Sequence, residues 1–264
     1  MTTAKELARK STEFRDVIDQ HLPQPSPMIR ISPEHTIIGH EVMWGGIWQQ
    51  EDLEKKLRSF ASITAQMVNG YDFGLKHQIR VGLTLGITPQ QIKAIFYELK
   101  FYVGVPESVF ALIKAQEVID ERSEWKEADQ NIDHPWLDSV EEKLSAGREA
   151  RRQAWGEDAD RELAETATHR LVPESAAIVD AYLFGDIWAR SPLSPKERMV
   201  ILLSAYTCRQ QFRQLRRQTG YALTTGMTKR EICEVIAQSG WYRGWAIVED
   251  ALLEVEKVFE ERGV

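Results

Sequence analysis

The chain repeats itself, and no other feature restricts its fold as much. When it is slid by 140 residues, so that Val42 stands over Tyr182, "VMWGGIWQQEDLEKKLRSF" lies over "YLFGDIWARSPLSPKERMV" without a gap. Gly45, Ile47, Trp48, Leu53, Lys56 and Arg58 then meet Gly185, Ile187, Trp188, Leu193, Lys196 and Arg198. The register persists further along. Leu75, Gln78, Leu83, Thr84, Gly86, Thr88 and Ile92 meet Leu215, Gln218, Leu223, Thr224, Gly226, Thr228 and Ile232, and Tyr102 and Gly104 meet Tyr242 and Gly244. Chance does not keep tryptophan, tyrosine and glycine in step over such a stretch, so two like units in tandem are expected.

Each unit reads as helical. Apolar residues recur at three and four in Leu57, Phe60, Ile63 and Met67, and again in Val200, Leu203 and Cys208. Gly86 and Gly226 follow the last apolar turn as left-handed stops, and Thr88 and Thr228 can cap the next helix, with Pro89 at its first position in unit one. Glu231 three residues after Thr228 makes a capping-box pattern, and Ser194 before Pro195 marks another helix start. No run alternates as a strand would, so the expected fold is all-α, two tandem units related by a pseudo-two-fold. The polar, acidic stretch "SEWKEADQNIDHPWLDSVEEKLS" and the proline-rich "PQPSPMIRISP" read as joins. The expected division is an N-terminal helix with a proline-rich lead over 1–32, a first unit over 33–122, an acidic linker over 123–144 and a second unit over 145–264.

Composition restricts function. With 33 Lys and Arg against 40 Asp and Glu in 264 residues, a general nucleic-acid binder is disfavoured. The first twenty residues hold no apolar run that could serve as a signal-peptide core, and no window reaches the length of a membrane span, so the expected location is cytoplasmic. Cys208 and Cys233 have neither Cys-x-x-Cys nor zinc-finger spacing and read as buried apolar residues. The six histidines (His21, His35, His40, His77, His134 and His169) include no pair at i, i+4 on one helix, so no metal site is expected.

"GREARRQAWGEDADRELAE", "FGDIWARSPLSPKER", "GMTKREICEVIAQ" and "YRGW" together resemble the carboxymuconolactone decarboxylase family across one whole unit. Unit one resembles it through "WGGIWQQEDL", "LGITPQQI" and "YVGVPESVFALIKAQEVI". The resemblance covers roughly 33–122 and 145–262. It implies an all-helical unit that assembles around shared interfaces, and for a fused pair a homotrimer, in which closed rings cover every apolar face. The peroxidase branch of that family, the alkyl hydroperoxidase D type, carries Cys-x-x-Cys followed by His. Those places fall on Asp72, Leu75 and Gln78 in unit one and on Phe212, Leu215 and Gln218 in unit two, so a thiol peroxidase is not expected. The decarboxylase branch asks for less: donors to hold a conjugated carbonyl, a proton, and desolvation of the departing carboxylate, with no metal or organic cofactor.

The resemblance and the residue types single out Gln78, Tyr102, His77 and Glu98 as catalytic candidates. Trp48, His40, Trp188, Gln218, Tyr242 and Arg213 are the candidates for binding a small carboxylic acid from the aromatic-catabolic class. Each has a structural alternative. On a helical wheel with Leu75 and Ile79 inward, Gln78 sits at the margin of the apolar face and His77 nearly opposite, where a solvated or subunit-interface role competes with catalysis. Gln78 and Gln218 can serve as donors or tie two helices together. Arg209, Arg213, Arg216 and Arg217 can clamp an acid or pair with acids elsewhere. Trp48 and Trp188 can simply pack. Glu98 stands where unit two has Gln238, and His35 and His40 stand where it has Ser175 and Asp180, so one active and one structural unit are expected. The leading reading is a decarboxylating lyase with its pocket mainly in unit one. A non-catalytic ligand-binding scaffold and an isomerase or dehydratase are the alternatives.

Overall fold

The computed structural model describes residues 2–19, 28–130, 137 and 139–264. His21, His134, the prolines at 23 and 25, and the middle of the expected acidic linker lie outside them. The chain is about 80% helical, and among the described residues there is no strand.

Ten helices carry the architecture: α1 (Ala4–Ile18), α2 (Lys55–Asn69), α3 (Asp72–Thr84), α4 (Pro89–Leu99), α5 (Val105–Ile119), α6 (Val140–Trp155), α7 (Pro195–Arg209), α8 (Phe212–Thr224), α9 (Lys229–Trp241) and α10 (Trp245–Arg262). The four helices α2–α5 and the four helices α7–α10 repeat one another in order and nearly in length. Local signals explain their limits. Gly86 and Gly226 adopt φ of 84° and 83°, and Thr88, Ser194 and Thr228 each close a capping box, with Gln91, Glu197 and Glu231. The helix α2 stops on Gly70 at φ 66°, whereas its counterpart α7 stops on Gln210 at φ 56°, the one left-handed non-glycine among the described residues.

Each set of four is preceded by a helix crossing a wide π-helical turn: α1 over His40–Trp44, and α6 over Ala181–Trp188. Both crossings are so close that a β-carbon at Gly45 would stand 2.0 Å from the Leu7 carbonyl oxygen, and one at Gly185 2.0 Å from that of Lys143. Glycine is therefore required at both places, and the tandem glycines of the repeat are explained by packing. Under α1 the crossing forms a small separate cluster of Phe14, Ile18, Trp44, Trp48 and Val81.

The two units share one core. The long helices α2 and α7 lie against each other, so that Phe60 and Ile63 belong to the same apolar cluster as Val200 and Leu203. The helix α9 also packs on α2, and α4 on α7, so each unit sends its third helix across to the other. No helix among the described residues is long and apolar enough to cross a membrane.

Candidate functional site

The exchange of helices creates two junctions, each built on an arginine that a long helix carries into the interior. At the first, Arg198 of α7 reaches Glu98 of α4, with Nε 2.9 Å from Oε2 and Nη2 3.3 Å from Oε1. The guanidinium also donates to the Trp188 carbonyl at 3.2 Å and lies 4.3 Å from the centre of the Trp188 ring. Ser191 donates to Glu98 Oε1 at 2.6 Å. At the second, Arg58 of α2 donates to Gln238 Oε1 of α9 at 3.3 Å, to Glu234 Oε2 at 2.7 Å and to the Gln50 carbonyl at 2.9 Å. Gln238 donates in turn to Ser62 Oγ at 3.0 Å. Glu98, Gln238 and Arg58 are entirely buried and Arg198 nearly so, so each ion must be matched where it stands.

A tyrosine belongs to each junction. Tyr102, just past α4, is half-buried as a residue, but its hydroxyl is fully buried, near Tyr206, Glu98 and Arg198, and has no hydrogen-bond partner. Burial first, then Tyr206 and Glu98, push its pKa well above the ordinary phenol range against the pull of Arg198, so it stays protonated and remains a donor. The Tyr242 hydroxyl is buried in the matching place, and burial raises it too, opposed by Ser62, Trp48 and Gln238 around it. The indole nitrogen of Trp188 is likewise buried without a partner, whereas that of Trp48 faces the Tyr242 hydroxyl. Unfilled donors are uncommon in interiors and mark places where a ligand oxygen would be welcome.

The sequence grouped these residues by unit, Trp48 with Tyr102 and Trp188 with Tyr242. The structure crosses them: Glu98 and Tyr102 of the first unit meet Arg198, Trp188 and Ser191 of the second, while Gln238 and Tyr242 meet Arg58 and Trp48. The arginines and Ser191 were not singled out from sequence. Their signal was legible, since a cation repeated within otherwise apolar helices has to find a partner inside.

The other candidates stand apart. Gln78 is buried with its Oε1 unpartnered, and Gln218 directs its amide nitrogen to the Met199 sulfur at 2.7 Å; neither bonds to Tyr102, Glu98 or Tyr242. His77 is half-buried. Its ring packs 5.7 Å from Trp44 and 6.5 Å from Phe73, because the π-helical turn partly covers the side of α3 that a single wheel leaves open. Burial, with Arg80, Arg15 and His40 adding repulsion, lowers its pKa to about 4. His40 approaches Arg15 Nη1 through Nδ1 at 3.1 Å, and burial and that cation lower it as well. Arg213 is exposed on α8, while Arg209 pairs with Glu107, Arg216 with Glu261, and Arg217 donates to the Tyr221 hydroxyl. Cys208 is buried, which pushes its thiol up to about 12, and half-buried Cys233 is raised by the same cause, so neither is poised as a thiolate. Among the described residues no three His, Cys, Asp or Glu side chains are grouped to hold a metal ion.

The sequence profile of the carboxymuconolactone decarboxylase family matches residues 40–117 and 173–257. A 4-carboxymuconolactone decarboxylase of Acinetobacter baylyi is 28% identical over 75 residues, 28% of this chain and 56% of that protein. The chain thus spans little more than half the length of that relative. An uncharacterised 15.0 kDa protein of Paracoccus denitrificans is 33% identical over 97 residues, 36% of this chain and 72% of that protein. Among solved structures, a chain provisionally described as a gamma-carboxymuconolactone decarboxylase subunit, from Burkholderia xenovorans LB400, superposes with a TM-score of 0.56 at 20% identity, over 96% of this chain and 98% of that one. That likeness speaks to the fold.

Proposed function

Because the chain belongs to the carboxymuconolactone decarboxylase family, we propose that it is a cofactor-independent lyase that decarboxylates a carboxylated lactone or a related ring-derived acid, with the first junction as its working end. The observation that carries this is the chemical difference between two otherwise matched junctions. The first holds a fully buried carboxylate, Glu98, beside an unpartnered neutral phenol, Tyr102; the second has an amide, Gln238, at that position, and its own carboxylate, Glu234, is partly exposed one turn away. Loss of carbon dioxide leaves an electron pair on the former α-carbon that a conjugated carbonyl can take up as an enolate. A neutral phenol donating to that oxygen stabilises the developing charge, and protonation at carbon completes the exchange of carboxylate for hydrogen. In this reading Tyr102 is the donor, Glu98 with Ser191 the proton relay, and Arg198 and Trp188 the groups that hold Glu98 in place.

The test is carbon dioxide release from a panel of carboxylated lactones and ring acids, with chelator present. Turnover that falls in Tyr102→Phe and Glu98→Gln supports the reading, and a folded protein that turns over none of the panel contradicts it. A second reading, a ligand-binding scaffold without catalysis, draws on the fact that Glu98 is fully matched by Arg198 and Ser191, as a structural clamp would be. It predicts that Glu98→Gln lowers stability and leaves biological activity intact.

A further inference from the structure

A cavity of about 500 Å³ opens at the first junction, between α4 and the chain that leads from Trp188 into α7. Ala94, Phe101 and Ile187 give it an apolar wall, and Tyr97 and Tyr182 stand along it. Three cations line it as well: Lys93, Lys100 and Arg190. Lys93 is held by Asp129 at 2.6 Å, and Arg190 shares Asp186 with the buried Lys143. Lys100 reaches over the Tyr97 ring at 5.9 Å and, among the described residues, has no ion-pair partner. The lining therefore carries more cation than acid in a chain whose formal net charge is -7.

The repeat shows how the two junctions differ here. The counterpart of Ala94 is Glu234, whose carboxylate reaches Arg58 at the second junction. At the first junction that acid is absent, and the role of matching the arginine falls to Glu98, one turn further along. The counterpart of Lys100 is Gly240, so the cation too belongs to the first junction alone.

We propose that this cavity binds a small planar carboxylate, an aromatic or conjugated ring acid, with its ring against Ala94 and Tyr97 and its carboxylate at Lys100. The volume lies in the range of small-ligand sites, and apolar and aromatic walls with a single unsatisfied cation are what such a ligand requires. As a binding site it stands on this geometry alone. As a substrate site it rests on the lyase reading and connects to it through Ser191, which lines the cavity and donates to Glu98, whereas Glu98 and Tyr102 are not on its lining.

Calorimetric titration of the full chain with benzoate, benzamide and inorganic phosphate tests it. Saturable benzoate binding is expected, with benzamide and phosphate weaker by about tenfold or more, the discrimination one charge-assisted hydrogen bond supplies. Lys100→Gln should remove the preference for benzoate over benzamide while leaving the melting temperature unchanged. Ala94→Glu, which imports the side chain found at the second junction, should abolish benzoate binding. No saturable benzoate binding by the wild-type chain, equal binding of benzamide, tighter binding of phosphate, or wild-type benzoate affinity in Lys100→Gln would each overturn the proposal. Carbon dioxide release is read separately. Benzoate binding with no turnover of any acid upholds the cavity and contradicts the lyase reading, whereas undiminished turnover in Ala94→Glu contradicts the cavity and leaves that reading standing.

Discussion

The two junctions solve one packing problem with different chemistry. Both must neutralise an arginine buried where two long helices meet. The second does so with a glutamate one turn before an amide; the first puts the glutamate at the later position and has an alanine at the earlier one, on the wall of a cavity. Moving the acid by one turn keeps the arginine matched and changes what stands beside it. The comparison teaches that a duplicated unit can keep its clamp at both ends while the chemistry around each clamp diverges.

The largest effect should come from breaking the clamp. Arg198→Ala strands Glu98 without its cation and should destabilise the chain by about 3–5 kcal/mol, measured by urea unfolding at neutral pH. Arg58→Ala should do less, because Glu234 is partly exposed and can be hydrated. An equal loss at the two would erase the distinction.

The crossings come next. Gly185→Ala forces a β-carbon onto the Lys143 carbonyl at the edge of the shared core and should cost at least about 1–3 kcal/mol. Gly45→Ala makes the same clash with a helix near the chain end, which can lift away. Its signature should be faster proteolysis of α1 with a smaller fall in global stability.

A pH effect should belong to the first unit alone. His77 is held neutral down to about pH 4 in the folded chain and titrates near 6.5 when unfolded, so the unfolded state binds the extra proton between those values. Stability should fall as pH drops from about 6.5 towards 4, by at most about 1.4 kcal/mol per pH unit at the steepest. His77→Phe should flatten that slope. The counterpart in the second unit is Arg217, which does not titrate in this range. The smallest expected effect is at the ends of the long helices: Gln210→Gly relieves a left-handed glutamine and should stabilise by about 1 kcal/mol in thermal unfolding, whereas Gly70→Gln should cost about as much.

Much of this was legible in the sequence. Thr88, Thr228 and Gly86 announced their caps and stops correctly, and the offset set Gly45 over Gly185 and Arg58 over Arg198 without saying that the glycines sit at crossings and the arginines in clamps. What the offset could not convey is which copies touch. It establishes that Tyr102 and Tyr242 are equivalent, and equivalence holds whether each unit folds on itself or gives its third helix to the other. That choice is made by the apolar faces of α2 and α7, which look the same from sequence in either arrangement. The surroundings of His77 were hidden for a related reason: a helical wheel ranks the faces of one helix, and the face of α3 that carries His77 is partly covered by a turn more than thirty residues earlier in the chain. The cavity was invisible because residues of both units line it, and which copies meet is what the offset leaves open.

The central claim is that chemistry belongs to the first junction. Tyr102→Phe and Tyr242→Phe delete hydroxyls at equivalent places, that of Tyr102 without a hydrogen-bond partner and that of Tyr242 facing Ser62, Trp48 and Gln238, so Tyr102→Phe should cost no more stability than Tyr242→Phe. Turnover of a carboxylated ring acid, followed as carbon dioxide release in the two purified variants, is then the direct comparison. The account predicts a loss of about a hundredfold or more in Tyr102→Phe and near wild-type turnover in Tyr242→Phe. Equal losses in both, or a loss confined to Tyr242→Phe, would contradict it.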